Sequence, residues 1–326
     1  SNEQIDRILR RMSEDGLCGL DQLHSYLLRQ LRHNCRPNTI RTSGTTIRLF
    51  LKFFKRNGGR HLSEIGPEHI SAFVEHEQDR GLAPVSVEGR LNGLYAFLNY
   101  LVGHEVICAD VLKRRLRIKV PESLPRAIDP EDIQRLLAII KKTRDRALIL
   151  TLLRTGMRIG ELLNTRVEHL NLREQLVYIF EAQKNRVGRV VYLSADAVCA
   201  LRKWIKTRAY QSQFIFYGRD AGPLCYGAAR AIFNRHIDKA GLAHKGHTLH
   251  CLRHTFASEL LNAGMPLQCL QELLGHKSIE MTRRYARLTD STRQEAYYRA
   301  MAIIEAGEIN GHYRFDYQIP QSVKKK

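Results

Sequence analysis

Apolar residues recur every three to four positions through the first hundred residues, the pattern of amphipathic helices. Over residues 3–14, Ile5, Ile8, Leu9 and Met12 share one stripe that ends before Gly16. Leu20, Leu23, Leu27, Leu28 and Leu31 form a second stripe over 20–31. A third opens at Pro37-Asn38-Thr39, continues through Ile47, Leu51 and Phe54, and stops at Asn57-Gly58-Gly59. The turn Gly66-Pro67 introduces a short helix with Ile70, Phe73 and Val74 inward. A fifth runs from Pro84 and Ser86 through Leu91, Leu94, Phe97, Leu98 and Leu101. Proline near each of three starts fits the first turn, where its missing N–H costs nothing.

Beyond residue 128 the pattern is mixed. Asp129-Pro130-Glu131-Asp132 reads as a capped helix start, and Arg144 to Thr155 as a strongly apolar helix broken at Gly156. Gly160 to Leu163 begins another. Gln175 to Ala182 and Gly188 to Leu193 alternate and are rich in β-branched and aromatic residues, so they predict a hairpin turning at Gln183 to Val187. Val198 to Tyr210 reads as a helix and Gln213 to Phe216 as a short strand, and helices resume from Gly227 toward Glu305. The expected fold is mainly α with a small β-hairpin or sheet. It divides into a helical domain (1–115), a basic linker (116–127), a mixed α/β domain (128–305) and a polar tail (306–326).

Charge narrows the partners. Lys and Arg total 52 against 33 Asp and Glu, a net charge of +19 and a pI near 9.9. An excess of this size points to a polyanion, because neutralising phosphates releases condensed counterions. On charge alone, ribosomal or membrane-surface binding stays open. Candidate phosphate contacts are Arg36, Arg41, Arg48, Lys52 and Arg90 between the apolar stripes, and Lys113, Arg114, Arg115, Arg117 and Lys119 leading into the linker. A solvated helix face is the ordinary role for such residues. Seven cysteines stand singly without a CxxC pair, which argues for a reducing compartment rather than a disulfide framework. With no membrane-length apolar run and no leader pattern, a cytoplasmic protein is expected.

The candidate chemistry lies in the second domain. Arg158 stands at a helix start with Glu161 one turn on, a pairing that also suits a plain i,i+3 surface ion pair. His250 and Arg253 share a helix face, and His276 precedes Tyr285 by nine residues. Lys184 lies in the hairpin turn, with Arg186 its local competitor, although a guanidinium is a poor proton donor. Two arginines can grip a phosphate, a lysine and two histidines can move protons, and a tyrosine can attack. His244, His247, His250 and His254 raise a metal alternative, but no carboxylate or paired cysteine accompanies them, so no metal site is expected.

The segments Thr155 to Leu163, His250 to Leu261, Leu274 to Ser278 and Thr282 to Leu288 together resemble the tyrosine recombinase (phage integrase) family, whose order is Arg, Lys, His-x-x-Arg, His, Tyr. Arg158, Lys184, His250, Arg253, His276 and Tyr285 meet that order, although glycines that often flank the lysine are missing here. The resemblance implies a core-binding domain before the linker and a catalytic domain after it. It implies a site-specific DNA recombinase of integrase or transposase type, in which Tyr285 forms a 3′-phosphotyrosine link and strands exchange through a Holliday junction. Neither metal nor ATP is then required, because the ester retains the bond energy. Implied partners are double-stranded DNA with an inverted-repeat core site, four protomers on two duplexes, and accessory DNA-bending or directionality proteins. A bacterial or archaeal nucleoid would be the setting. A type IB topoisomerase and a DNA-binding protein with a decayed site stand as alternatives.

The tail beyond 306 is expected to dock on a neighbouring protomer. Truncation there should weaken assembly of the multi-protomer complex more than DNA binding by one protomer, as gel shifts would report; equal loss of both would count against docking.

Overall fold

The computed structural model describes residues 2–121, 126–180, 188–208, 212–276 and 280–283. The chain forms two compact units, Ser1–Ser123 and Leu124–Lys326. The first is helical: α1 (Asn2–Glu14), α2 (Leu20–Arg32), α3 (Pro37–Arg56), α4 (Pro67–Asp79), α5 (Pro84–Val102) and α6 (Asp110–Lys113). Proline opens α3, α4 and α5 as the sequence predicts. Met12, Leu23, Leu27, Ile40, Ile47, Phe50, Phe54, Phe97 and Leu98 are fully buried in one core. Aromatic edges meet faces there, Phe50 on Phe73 at 5.4 Å and Tyr26 on Phe97 at 5.2 Å between ring centroids.

Several basic residues of this unit have intramolecular partners. Arg48 and Lys52 both pair with Asp15, at 2.6 and 2.8 Å, and tie the end of α1 to α3. Arg90 and Arg80 together compensate Glu77, which is buried on α4. Arg41 donates to Asn38, Lys113 pairs with Asp110, and Arg115 covers the Tyr95 ring while donating to Asn92. Arg36 sits at the N-cap of α3, and Arg114, Arg117 and Lys119 are exposed.

The second unit contains α7 (Pro130–Ile139), α8 (Thr143–Thr155), α9 (Ile159–Leu163), strands β1 (Leu170–Asn171), β2 (Leu176–Ile179) and β3 (Arg189–Tyr192), then α10 (Ala195–Thr207), α11 (Tyr226–Lys239), α12 (Leu249–Asn262), α13 (Leu267–Leu274) and α14 (Glu280–Arg283). Helix α8 is buried on nearly every side, packed by α10, α12 and α11, which explains its unbroken apolar run. Its one buried carboxylate, Asp145, lies 3.0 Å from the His236 ring on α11 and is also paired with Arg144. The strands form an antiparallel sheet in the order β1-β2-β3, with Val177 opposite Val191 and Ile179 opposite Arg189. Val177, Ile179 and Val191 face the core, while Tyr178, Phe180 and Tyr192 are exposed.

Some details differ from the sequence reading. Gln213 to Phe216 forms no strand; Phe214 makes a single isolated bridge to Arg166, because no neighbouring strand extends the pairing. Asp129 gives α7 no side-chain cap, its carboxylate pairing with Lys245 at 3.4 Å instead. Helix α10 starts at Ala195, three residues early, since Ser194-Ala195-Asp196 supplies its first turn.

Replacing Phe50 by Ala should destabilise the helical unit by about 3–5 kcal/mol in urea denaturation, whereas Tyr192→Ala on the exposed sheet face should stay within about 0.5 kcal/mol.

Candidate active site

Gly156 ends α8 in the left-handed conformation at φ +59, where a Cβ would meet the Phe256 ring at 2.2 Å. Glycine therefore allows the chain to turn tightly over α12 and brings Arg158 to the N-cap of α9. The Arg158 backbone N–H donates to Glu161 Oε2 at 2.8 Å and its Nη1 to Oε1 at 2.9 Å. Its Nη2 reaches the Gly275 carbonyl at 3.3 Å. The Arg158–Glu161 pair, whose spacing also suited a surface contact, is largely buried, with Glu161 fully covered and the Arg158 side chain 16% exposed.

Arg253 on α12 is 2% exposed and bridges two helix ends. Its Nη1 donates to the Gly156 carbonyl at 2.5 Å and its Nη2 to the Leu274 carbonyl at 2.7 Å. Nη2 also lies 3.0 Å from His276 Nε2. A guanidinium only donates, so Nε2 is the acceptor, and Nδ1 carries the proton, donating to Thr282 Oγ1 at 2.8 Å. Thr282 is buried on α14, three residues before Tyr285 in the chain. His250 is exposed one turn before Arg253, its ring edge-on to His254 at 4.6 Å.

Sequence reading missed Arg189 on β3. Opposite the buried Ile179, it points inward from an otherwise apolar strand. Nη1 and Nη2 donate to both oxygens of Glu161, at 3.1 and 2.7 Å, and Nε donates to the Leu273 carbonyl at 2.7 Å. The available signal was a charged residue on the core-facing register of a hairpin. With Arg189 included, three successive carbonyls at the end of α13 (Leu273, Leu274 and Gly275) each receive one arginine from a different element. The negative end of a helix favours such a gathering.

The structure thus brings together Arg158, Glu161, Arg253 and His276, with His250 on the adjoining exposed turn. Lys184 and Tyr285 lie outside the described residues. Among the described residues no group of three or more His, Cys, Asp or Glu side chains is placed to hold a metal ion.

Electrostatics follow from this crowding. Burial alone would raise the Glu161 carboxyl, but the hydrogen bonds and charges of Arg189 and Arg158 outweigh it and hold it below its ordinary value. Burial, reinforced by Arg253, Arg158, Arg189 and His250, holds His276 down to about 3. Burial, then His250 and Arg253, hold His254 down to about 4. Both imidazoles are neutral near neutral pH. Because they titrate lower in the folded than in the unfolded chain, where the ordinary value is 6.5, the unfolded state takes up protons first as pH falls. Their contribution is complete above about 6.5 and is lost toward 4 and then 3. The urea midpoint should therefore drop between pH 7 and 4.5, and His254→Gln with His276→Gln should flatten that drop; an unchanged slope would contradict it.

Comparison with known proteins gives the geometry its family. The phage integrase family matches residues 126–292, and the phage integrase N-terminal SAM-like domain matches residues 20–107. The chain is 33% identical to tyrosine recombinase XerC of Xylella fastidiosa over 224 residues, covering 67% of this chain and 75% of that one. Identity to XerC of Oceanobacillus iheyensis is 27% over 294 residues, 86% of this chain and 95% of the other. Its fold is similar to that of the Tn1549 transposon integrase in complex with transposon right end DNA, at TM-score 0.69 and 20% identity, covering 84% of this chain and 98% of that one. It is also similar to the XerH site-specific recombinase bound to difH substrate, at TM-score 0.65 and 20% identity, with coverage of 90% and 94%. A family match across half of the chain, on the unit that carries the clustered arginines, settles membership: the chain belongs to the phage integrase family, the tyrosine recombinases.

Proposed function

We propose that this enzyme cleaves and rejoins DNA at a specific site through a covalent 3′-phosphotyrosine intermediate. One observation carries the reading: Arg158, Arg189 and Arg253 converge on the end of α13 with Glu161 as the carboxylate that pairs with them. Three guanidiniums against one carboxylate leave two positive charges. A phosphodiester brings one negative charge and its pentacovalent transition state two, so the excess is matched to the state that must be stabilised.

In the proposed sequence the Tyr285 oxygen attacks phosphorus, the bond from phosphorus to the 5′-oxygen breaks, and Lys184 protonates that departing oxygen to give the 5′-hydroxyl. A phenol ionises near pH ~10, so the attack needs a neighbouring base and cations. His250, exposed beside Arg253, is the proposed acceptor of the tyrosine proton. Arg158 and Arg253 bind the non-bridging oxygens. To donate to a phosphoryl oxygen, His276 must carry its proton on Nε2, the atom now facing Arg253; a phosphate between them would take over the arginine N–H and free that nitrogen. The second step reverses the chemistry: a 5′-hydroxyl from a partner duplex attacks the phosphotyrosine and releases Tyr285. Energy is conserved in the ester, so neither ATP nor a metal enters.

Four protomers on two duplexes would exchange strands in pairs through a Holliday junction. Arg36, Arg114, Arg117 and Lys119 are proposed backbone contacts. Arg41, Arg48, Lys52, Arg90, Lys113 and Arg115 would serve DNA only alongside the pairings already described. The XerC relatives and the solved transposon and XerH recombinases support site-specific recombination over the alternative of a topoisomerase.

A nicked suicide substrate carrying the cognate site should trap a covalent adduct with the intact enzyme and none with Tyr285→Phe, read as a shifted band under denaturing conditions. Adduct formation by the phenylalanine variant would refute the nucleophile. Relaxation of a plasmid lacking the site would favour the topoisomerase reading.

A further inference from the structure

Glu161 accepts four N–H groups: the Arg158 backbone and Arg189 Nη2 on Oε2, and Arg158 Nη1 and Arg189 Nη1 on Oε1. A carboxylate offers about four lone-pair positions, so its capacity is full. The consequence falls on Arg158. Only one of its guanidinium nitrogens reaches the carboxylate, and its other edge makes a single long contact of 3.3 Å to the Gly275 carbonyl. Were Arg189 absent, two lone-pair positions would open on a fully buried carboxylate, and the nearest cation able to fill them is Arg158. Fork-to-fork pairing of arginine with carboxylate is strongly favoured, so Arg158 would turn toward Glu161.

Arg189 also fixes the other wall of the site. Its Nε holds the Leu273 carbonyl, and its side chain lies against Gly275, where a Cβ would come within 3.1 Å of Nη1. His276 follows directly, with its backbone N–H on the Gln271 carbonyl. One guanidinium therefore spans the partner of Arg158 and the turn that presents His276.

We infer that Arg189 is a positioning residue for strand cleavage: by saturating Glu161 it keeps one edge of Arg158 available to the scissile phosphate, and by holding the end of α13 it sets the place of His276. This rests on the reading that Arg158 binds that phosphate. A misplacement of about 1 Å costs on the order of 100-fold in rate.

The test is single-turnover cleavage of the suicide substrate at saturating DNA, with affinity measured separately by gel shift. Arg189→Met should slow cleavage by about 10- to 100-fold while changing the Kd less than about threefold. Adding Glu161→Gln should restore at least tenfold of the rate, because a neutral amide no longer draws Arg158 away; a role in folding alone would give no such rescue. Arg189→Lys, which keeps the charge but not the two-pronged grip, should fold normally and cleave about tenfold slower. Wild-type cleavage by Arg189→Lys or Arg189→Met, or a loss in Arg189→Met that Glu161→Gln leaves untouched, would overturn the inference. Tyr285→Phe and Arg158→Ala run in parallel keep the two levels apart: if either cleaves normally, the underlying mechanism fails rather than the role of Arg189.

Discussion

The second unit depends on how one short helix ends. Eight residues of α13 finish in three carbonyls that no further turn can use, and each takes a guanidinium from a separate part of the chain. Like charges a few ångströms apart near a protein surface repel by roughly 4 kcal/mol, so the arginines could not gather without compensation. Glu161 and the helix end supply it, and each cation in turn satisfies a carbonyl otherwise left bare. The same contacts tie α8, α9, α12 and β3 to α13. A phosphate-sized excess of positive charge is thereby built into the packing rather than placed on a loop.

Burial, reinforced by that excess, sets the state of the histidines. Beside three permanent cations and largely out of water, the His276 imidazole is neutral, and its hydrogen bonds fix which nitrogen bears the proton. A neutral ring can accept from an arginine or donate to a phosphoryl oxygen, according to which nitrogen is protonated. An imidazolium could not accept, and it would add a further charge to a crowded site. Under the proposed mechanism the tyrosine proton has a more suitable destination in His250, which is exposed.

Much of this was legible in the sequence, because both levels of the fold use simple periodicities. The helices of the first unit fall where stripes of apolar residues place them, and prolines mark three of their starts. The clustering of Arg158, Arg253 and His276 follows from short motifs on helix ends. Legibility failed where the deciding interaction joins distant segments. Asp129 reads as a cap yet serves Lys245, more than a hundred residues away. Arg48, Lys52 and Arg90 read as one basic face, whereas Asp15, just past α1, and Glu77 on α4 engage them from elsewhere in the chain. Arg189 was hidden for the same reason: its value lies in a carboxylate on α9 and a carbonyl on α13, neither visible from β3.

Gly275 illustrates a different kind of dependence. Its backbone is left-handed at φ +62, and the space where a side chain would begin is filled by the Arg189 guanidinium. Two separate restraints thus bear on one position, one intrinsic to the turn and the other imposed by a strand far away in the chain. A lineage that lost the arginine would lift the second restraint and leave only the first, which asparagine tolerates better than most residues. The residue that position 275 can hold therefore depends on the one at 189, although neither lies near the other in sequence.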